Sequence, residues 1–263
     1  DPHLHQEIRQ YVKNAVPVLA QASQAEMVEE LLTISVVVHI IHSGEPVGQG
    51  QNLSDEQVYA QIAILNQDFA GINSEYFQTP AKWAGANGVP NIEFCLATLD
   101  PSGNPTNGIT RHNLQVTGTS YKNSNINSSI KPQTDWNATK YMNVWVLPIP
   151  GTTAAGGVVG VANYPTPSQI GQERDGIVVD YRWFGAPGFA ASGYRPLTHE
   201  TGHFLGLPHT FDDFSCSADD GISDTPNIDD ATANYVDLDC TDGYADGPIS
   251  CGNEAMYVNY MDY

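Results

Sequence analysis

His199, Glu200, His203 and His209 place three imidazoles and one carboxylate within a single stretch of eleven residues. Helical residues four apart share a face, so His199 and His203 project the same way. Glu200 sits beside them and reaches a metal-bound water without being a ligand itself. Gly206 tolerates a left-handed backbone conformation, which ends the helix and turns the chain back. That turn brings His209 to the same metal from a third direction. Three protein nitrogens and one open position are the usual catalytic arrangement for zinc, whereas a structural site is closed by a fourth ligand. The chemistry expected is peptide-bond hydrolysis, with zinc acidifying a bound water and polarising the scissile carbonyl. Glu200 would take the water's proton and deliver it to the leaving amine.

Composition sets the frame for such a site. The chain has 263 residues, enough to bury a sizeable core, and only 15% of them are charged, as in a globular protein. A formal net charge of -20 argues against nucleic acid and anionic membranes, which need Lys and Arg partners, and favours cations. No apolar run approaches the ~20 residues of a membrane helix. The start at Asp1 suggests a chain trimmed of a signal or pro-segment. Three cysteines (Cys216, Cys240 and Cys251) share a Gly- and Asp-rich region with little local apolar sequence. Disulfides help most where a core is poor, which points to a secreted setting. Cys95, in the apolar run Ile92–Leu99, reads as a buried free thiol. Three Asn-x-Ser/Thr matches, at Asn52, Asn127 and Asn137, carry little weight in an Asn- and Ser-rich chain.

The elements that must position the site follow in order. Residues 1–32 read as a helical lead-in. Thr33–His42 is β-branched and apolar, as in a strand buried on both faces. Its His39 and His42 lack partners at ligand spacing, so structural or surface roles are expected. Ser54 and Gln57 form a capping-box pattern at the start of a helix whose apolar face is Val58, Ile62, Leu65 and Phe69. Strands are expected at Asn91–Thr98, Ile109–Leu114, Tyr141–Ile149 and Asp175–Phe184. Residues 117–135 read as a polar surface loop. Gly156–Asn163 is apolar but rich in glycine, which weakens strand interiors and marks close approach of another backbone. It reads either as a sheet edge open to an extended peptide or as an ordinary bulged edge or loop. Strands alternating with two strong helices indicate an α/β or α+β layer architecture.

After His209 the chain changes character. It holds no Lys or Arg beyond Arg195, while Asp recurs throughout. Such a segment either binds hard cations such as Ca²⁺, with Asp219–Thr225 as the candidate site, or is simply a solvated acidic loop. The spacing is not that of an EF-hand.

His199–His209 fits the long pattern HExxHxxGxxH of the metzincin zinc peptidases, and Asn259–Tyr263 resembles their Met-turn. Gly202–Leu207, His209–Phe211, Asp224–Pro226, Ile92–Ala97, Gly108–Arg111 and Asp175–Val179 narrow the resemblance to the pappalysins. That resemblance implies an α+β metzincin fold with a twisted, mostly parallel sheet and two long helices. Its upper sub-domain would cover residues 33–206, and an irregular lower one 207–263, after the lead-in of residues 1–32. It implies Met261 as an apolar base under the zinc ligands and Tyr263 as a partner for the reacting carbonyl oxygen. Gly157, Val158, Val159, Gly160 and Val161 would form the substrate-pairing rim. Asp220, Ile222, Asp224 and Thr225 would hold calcium, and Cys216 would pair with Cys251. It also implies secretion as a zymogen whose pro-segment is removed, acting on protein or peptide substrates. The chain departs from that pattern in stopping at Tyr263. Pappalysins continue past the Met-turn into a C-terminal helix, which would supply the partner of Cys240 and the residues shaping the S1′ pocket. The function expected is therefore a secreted zinc endopeptidase of unassigned cleavage preference. A catalytically inactive zinc-bearing binding module is the alternative, and intact Glu200 and Tyr263 weigh against it.

Overall fold

A computed structural model describes Gln10 and residues 31–115, 126–149, 151–152, 157–186, 195–211, 214–217, 220–232 and 249–262. Of the helical lead-in expected over residues 1–32, only Gln10, which is helical, and Leu31 and Leu32 are among these, and Leu32 already begins a strand. The chain divides into two compact units. One comprises Glu29–Asn73 and Val89–Phe204; the other comprises Asp1–Val28, Ser74–Gly88 and Leu205–Tyr263.

The first unit is built on a six-stranded sheet. Strand β1 (Leu32–His42) runs through its middle. The first half of β1 pairs in parallel with β2 (Ile92–Leu96) and its second half with β3 (Ile109–Asn113). On its other side lie β4 (Met142–Leu147) and β6 (Ile177–Asp180), both parallel, and then β5 (Gly160–Ala162), antiparallel and at the edge. The β-branched run of β1 suits this central place, since both faces are covered and side chains alternate between them.

Helix α1 (Asp55–Phe69) covers one face together with α3 (Pro196–Phe204). Ser54 caps α1 as its sequence predicts, accepting from the Gln57 N–H at 3.2 Å. Val58, Ile62 and Leu65 join Val36, Val38, Ile40, Val144 and Leu197 in the larger core, with Phe69 packed against it. The opposite face buries Ile41, Trp145, Leu147 and Val178 with Ile126 and Ile130.

That last pair corrects the expectation of a surface loop over residues 117–135 for its described part, residues 126–135; residues 117–125 lie outside the described residues. Residues Ile126–Ile130 form a π-helical turn that runs into the short α2 (Lys131–Thr134), and Ile126, Ile130, Lys131 and Thr134 are buried. The two isoleucines lie four apart on one face, enough to anchor a segment whose other residues are polar. The strand expected at Asp175–Phe184 is also shorter. Asp180 accepts from the Arg182 N–H and starts a single turn at Tyr181–Trp183. Cys95 is a free thiol as expected, but half-buried.

The second unit has little regular structure among the described residues. Its small core is Phe211, Ile228, Ala231 and Ala255. A disulfide joins Cys216 to Cys251. Cys251 and Gly252, both at positive φ, form the two-residue loop between β7 (Ile249–Ser250) and β8 (Asn253–Glu254). Such a loop places both residues in the left-handed region, which Gly252 adopts without strain. Cys240, whose pairing the sequence leaves open, lies outside the described residues.

Candidate metal centre

Helix α3 carries His199, Glu200 and His203, and its position is set from within the sheet unit. Asp68, near the C-terminal end of α1, has a fully buried carboxylate that pairs with Arg195 at 3.2 Å. It also accepts from the Thr198 hydroxyl at 2.6 Å and from Asn73 at 3.0 Å. Gln57 and Gln61 of α1 bind the Phe184 carbonyl and the Gly185 N–H at 2.7 Å each. A buried carboxylate needs such partners, and here they fix the start of the metal helix. The long-range roles of Asp68, Gln57 and Gln61 carry no sequence signal, because their partners lie more than 120 residues away.

The i, i+4 spacing brings the rings of His199 and His203 to 4.6 Å between centroids, nearly perpendicular. The helix ends at Phe204, and Gly206 has φ +103°, the turn expected of it. Ligand atoms of His199, His203 and His209 all lie within 4.8 Å of one another. Three convergent imidazoles, with no carboxylate or thiolate among them, suit zinc and fall short of the oxygen shell a hard cation needs. The residues therefore fit the metal. His209 stacks on Phe211 at 4.7 Å.

Glu200 is buried, and its carboxylate accepts from the backbone N–H of Ala162 in β5. Burial pushes its pKa up to about 8, against the lowering effect of that N–H. A dication nearby acts in the opposite direction. The closeness of Glu200 to β5 accounts for Gly160. A Cβ there would stand 2.7 Å from Glu200 Cγ and 2.8 Å from Oε1. The glycine makes room for a carboxylate, where the sequence suggested close approach of a backbone.

Strand β5 presents one free edge among the described residues. Asp180 N–H bonds the Val159 carbonyl at 2.8 Å and Asn163 N–H bonds the Gly176 carbonyl at 3.1 Å. In an antiparallel ladder such bonds alternate along the strand. The backbone groups of Gly160 and Ala162 therefore point away from β6. Upstream, Gly157 has φ +121°, and Val158 is exposed with its carbonyl held by the Thr152 hydroxyl.

The other expected positions fall as follows. Met261 is buried, its N–H bonds Asn259 Oδ1 at 2.9 Å, and its carbonyl accepts from the N–H of Thr210, the residue after His209. Tyr263 lies outside the described residues. Asp220 is buried and accepts from the Ile222 N–H at 2.9 Å, Thr225 N–H bonds the Ile222 carbonyl, and Asp224 is exposed. Among the described residues neither Asp220 nor Asp224 belongs to a group of three carboxylate, imidazole or thiol ligands. His39 has the structural role expected of it, bonding Thr110 at 2.8 Å and Asn143 at 2.9 Å. A further contact without a sequence signal is that of the Tyr164 hydroxyl, 2.8 Å from His203 Nδ1.

A mostly parallel sheet with an antiparallel edge strand, and beside it a helix bearing two of three convergent histidines and a glutamate, define a metalloendopeptidase of metzincin fold. The family model described as pregnancy-associated plasma protein-A matches residues 124–263, and the chain belongs to that peptidase family, the pappalysins. Mature mirolysin of Tannerella forsythia, solved in complex with a cleaved peptide, is 36% identical with a TM-score of 0.72, over 89% of this chain and 84% of that one. A promirolysin mutant from the same organism is 33% identical with a TM-score of 0.71, over 89% of this chain and 74% of that one. Among sequence relatives, an extracellular metalloprotease of Arthroderma gypseum is 26% identical over 93% of this chain and 69% of its own length. Membership of this family implies zinc as the metal.

Proposed function

We propose that the chain is a secreted zinc endopeptidase in which Glu200 is the general base. The observation that carries this reading is the placement of Glu200, one residue from His199, buried, and held against the open edge of β5. Bound by His199, His203 and His209, zinc would acidify the attacking water and polarise the scissile carbonyl. Glu200 accepts the water's proton and returns it to the leaving amine. An extended substrate pairs with the outward backbone groups of Gly160 and with the Ala162 carbonyl, the Ala162 N–H being held by Glu200, so that Gly157–Val161 lines its path. Mirolysin, a relative solved in complex with a cleaved peptide, supports peptides as the substrate class. Tyr263 holds the carbonyl oxygen as charge develops on it, and Met261 floors the histidines.

Secretion is supported by relatives named extracellular metalloproteases and by the Cys216–Cys251 disulfide. Maturation from a zymogen is supported by the likeness to promirolysin. Calcium held through Asp220, Ile222, Asp224 and Thr225 would neutralise part of the acidic segment, and a rise in melting temperature with added Ca²⁺ but not Mg²⁺ would register it.

The test is cleavage of casein by the purified protein. Activity should vanish with a zinc chelator and return with stoichiometric Zn²⁺. Zinc-loaded, pro-segment-free protein that binds casein without cutting it would mark a binding module instead.

A further inference from the structure

Strand β5 and the metal helix are joined by a second contact besides Glu200. Residue Asn163 closes the β5–β6 ladder through its N–H to Gly176. Its side chain is engaged by Gln169 and by the Lys131 ammonium, which also donates to the Arg174 carbonyl at 2.8 Å. The next residue, Tyr164, is fixed on both sides. Its carbonyl accepts from the Thr166 N–H at 2.8 Å, and Pro165 follows it with a locked φ. The tyrosine ring lies 5.0 Å from the His203 ring, centroid to centroid, and its hydroxyl stands 2.8 Å from Nδ1.

This geometry constrains which nitrogen of His203 can bind metal. A neutral imidazole has one N–H and one lone pair. With Nδ1 facing Tyr164, the lone pair offered to the metal group is on Nε2, so Nδ1 must carry the proton and donate it to the Tyr164 oxygen. The reverse arrangement, with the tyrosine donating to Nδ1, would put the proton on Nε2 and block metal binding. Ligating histidines commonly give their second N–H to a carboxylate, carbonyl or water, and loss of that partner costs 10–100-fold in metal affinity or activity. Here a phenolic oxygen at the end of the proposed substrate strand takes the place of those partners.

We propose that Tyr164 is a positioning residue of the metal centre: its hydroxyl oxygen selects the Nε2-donating tautomer of His203, orients the ring, and ties this ligand to strand β5. The inference rests on the zinc reading above.

The test compares zinc release from the full-length, zinc-loaded protein to a chromophoric chelator, without substrate. Tyr164→Phe keeps the ring and removes only the acceptor. Tyr141→Phe, which removes a hydroxyl bonded to the Leu99 carbonyl in another part of the unit, serves as control. Expected are release at least ~10-fold faster for Tyr164→Phe, native release for Tyr141→Phe, and an unchanged melting temperature for the zinc-free form of Tyr164→Phe. In the zinc-loaded native protein the His203 Nδ1 proton should be visible by NMR and slow to exchange, and in Tyr164→Phe it should exchange quickly with water. Zinc release within ~2-fold of native for Tyr164→Phe would overturn the proposal. Faster release accompanied by an equally destabilised zinc-free form and an unaltered Nδ1 proton would overturn it too, by reducing Tyr164 to a packing role. A native protein that takes up no zinc, or takes it up equally well as His203→Ala, would instead overturn the zinc reading itself.

Discussion

Glu200 and Lys131 are both buried ionisable groups of the sheet unit, and they are associated with opposite faces of its sheet. Glu200 stands on α3, whose Leu197 belongs to the larger core, and burial raises its pKa to about 8. Lys131 lies over the ring of Trp145 at 4.5 Å, in the other core, and burial lowers its pKa to about 7. Perturbation of that size is often a mark of an active site, yet by this measure the two residues look alike. Their surroundings separate them. Lys131 is enclosed by an aromatic ring, a carbonyl and an Asn side chain, with Asp175 opposing its loss of charge. Glu200 accepts from a strand whose other edge is unpaired among the described residues, and its neighbour in sequence is His199, a proposed zinc ligand. Burial perturbs both groups, but only Glu200 stands at an open strand edge, where the substrate is proposed to bind.

That contrast can be broken at three places. The largest effect is expected at Gly160. Its replacement by Ala forces the Glu200 side chain to move, since the new Cβ would stand under 3 Å from it. Proteolysis of casein should fall about 10–100-fold, the scale of a small misplacement in an active site, with little change in melting temperature. Native activity in Gly160→Ala would show that Glu200 need not sit against β5.

Lys131 should register in stability. Below about pH 7 folded and unfolded chains both hold its proton. Between about 7 and 10.5 only the unfolded chain does, so this group makes stability rise with pH across that window and level off above it. Lys131→Met should remove that rise in denaturant titrations taken from pH 7 to 10, and an unaltered slope would count against a buried, deprotonating amine.

His39 should give the smallest effect, of the same sign but on the acid side. Burial lowers its pKa from 6.5 to about 4. Between those values the unfolded chain takes up a proton that the folded chain refuses, so stability is lost as pH falls from 6.5 to 4. His39→Gln should shallow that loss in the same titrations. A residual slope is expected from His112, which burial and His42 also hold below its usual range.

The pattern of what the sequence reveals follows the range of the interactions. The metal motif, the Gly206 turn and the Ser54 cap are encoded within a few residues, so spacing alone exposes them. The edge character of β5 was visible in its glycines, though not the reason for Gly160, which is a side chain forty residues onward. Tyr164 and Asp68 left no trace, because their partners His203 and Thr198 are brought to them by the folded sheet. The segment holding Lys131 misled, since two isoleucines four apart hardly alter a polar composition, yet they are enough to bury its one ammonium. The Cys216–Cys251 pair was implied by family resemblance and is formed.

The most direct test of the proposed mechanism is to change Glu200 to Gln and measure zinc content and casein cleavage on the same preparation. The account predicts one zinc per chain, as in the native protein, with turnover reduced at least ~100-fold, the lower end for loss of a general base. Near-native cleavage with zinc retained would contradict it.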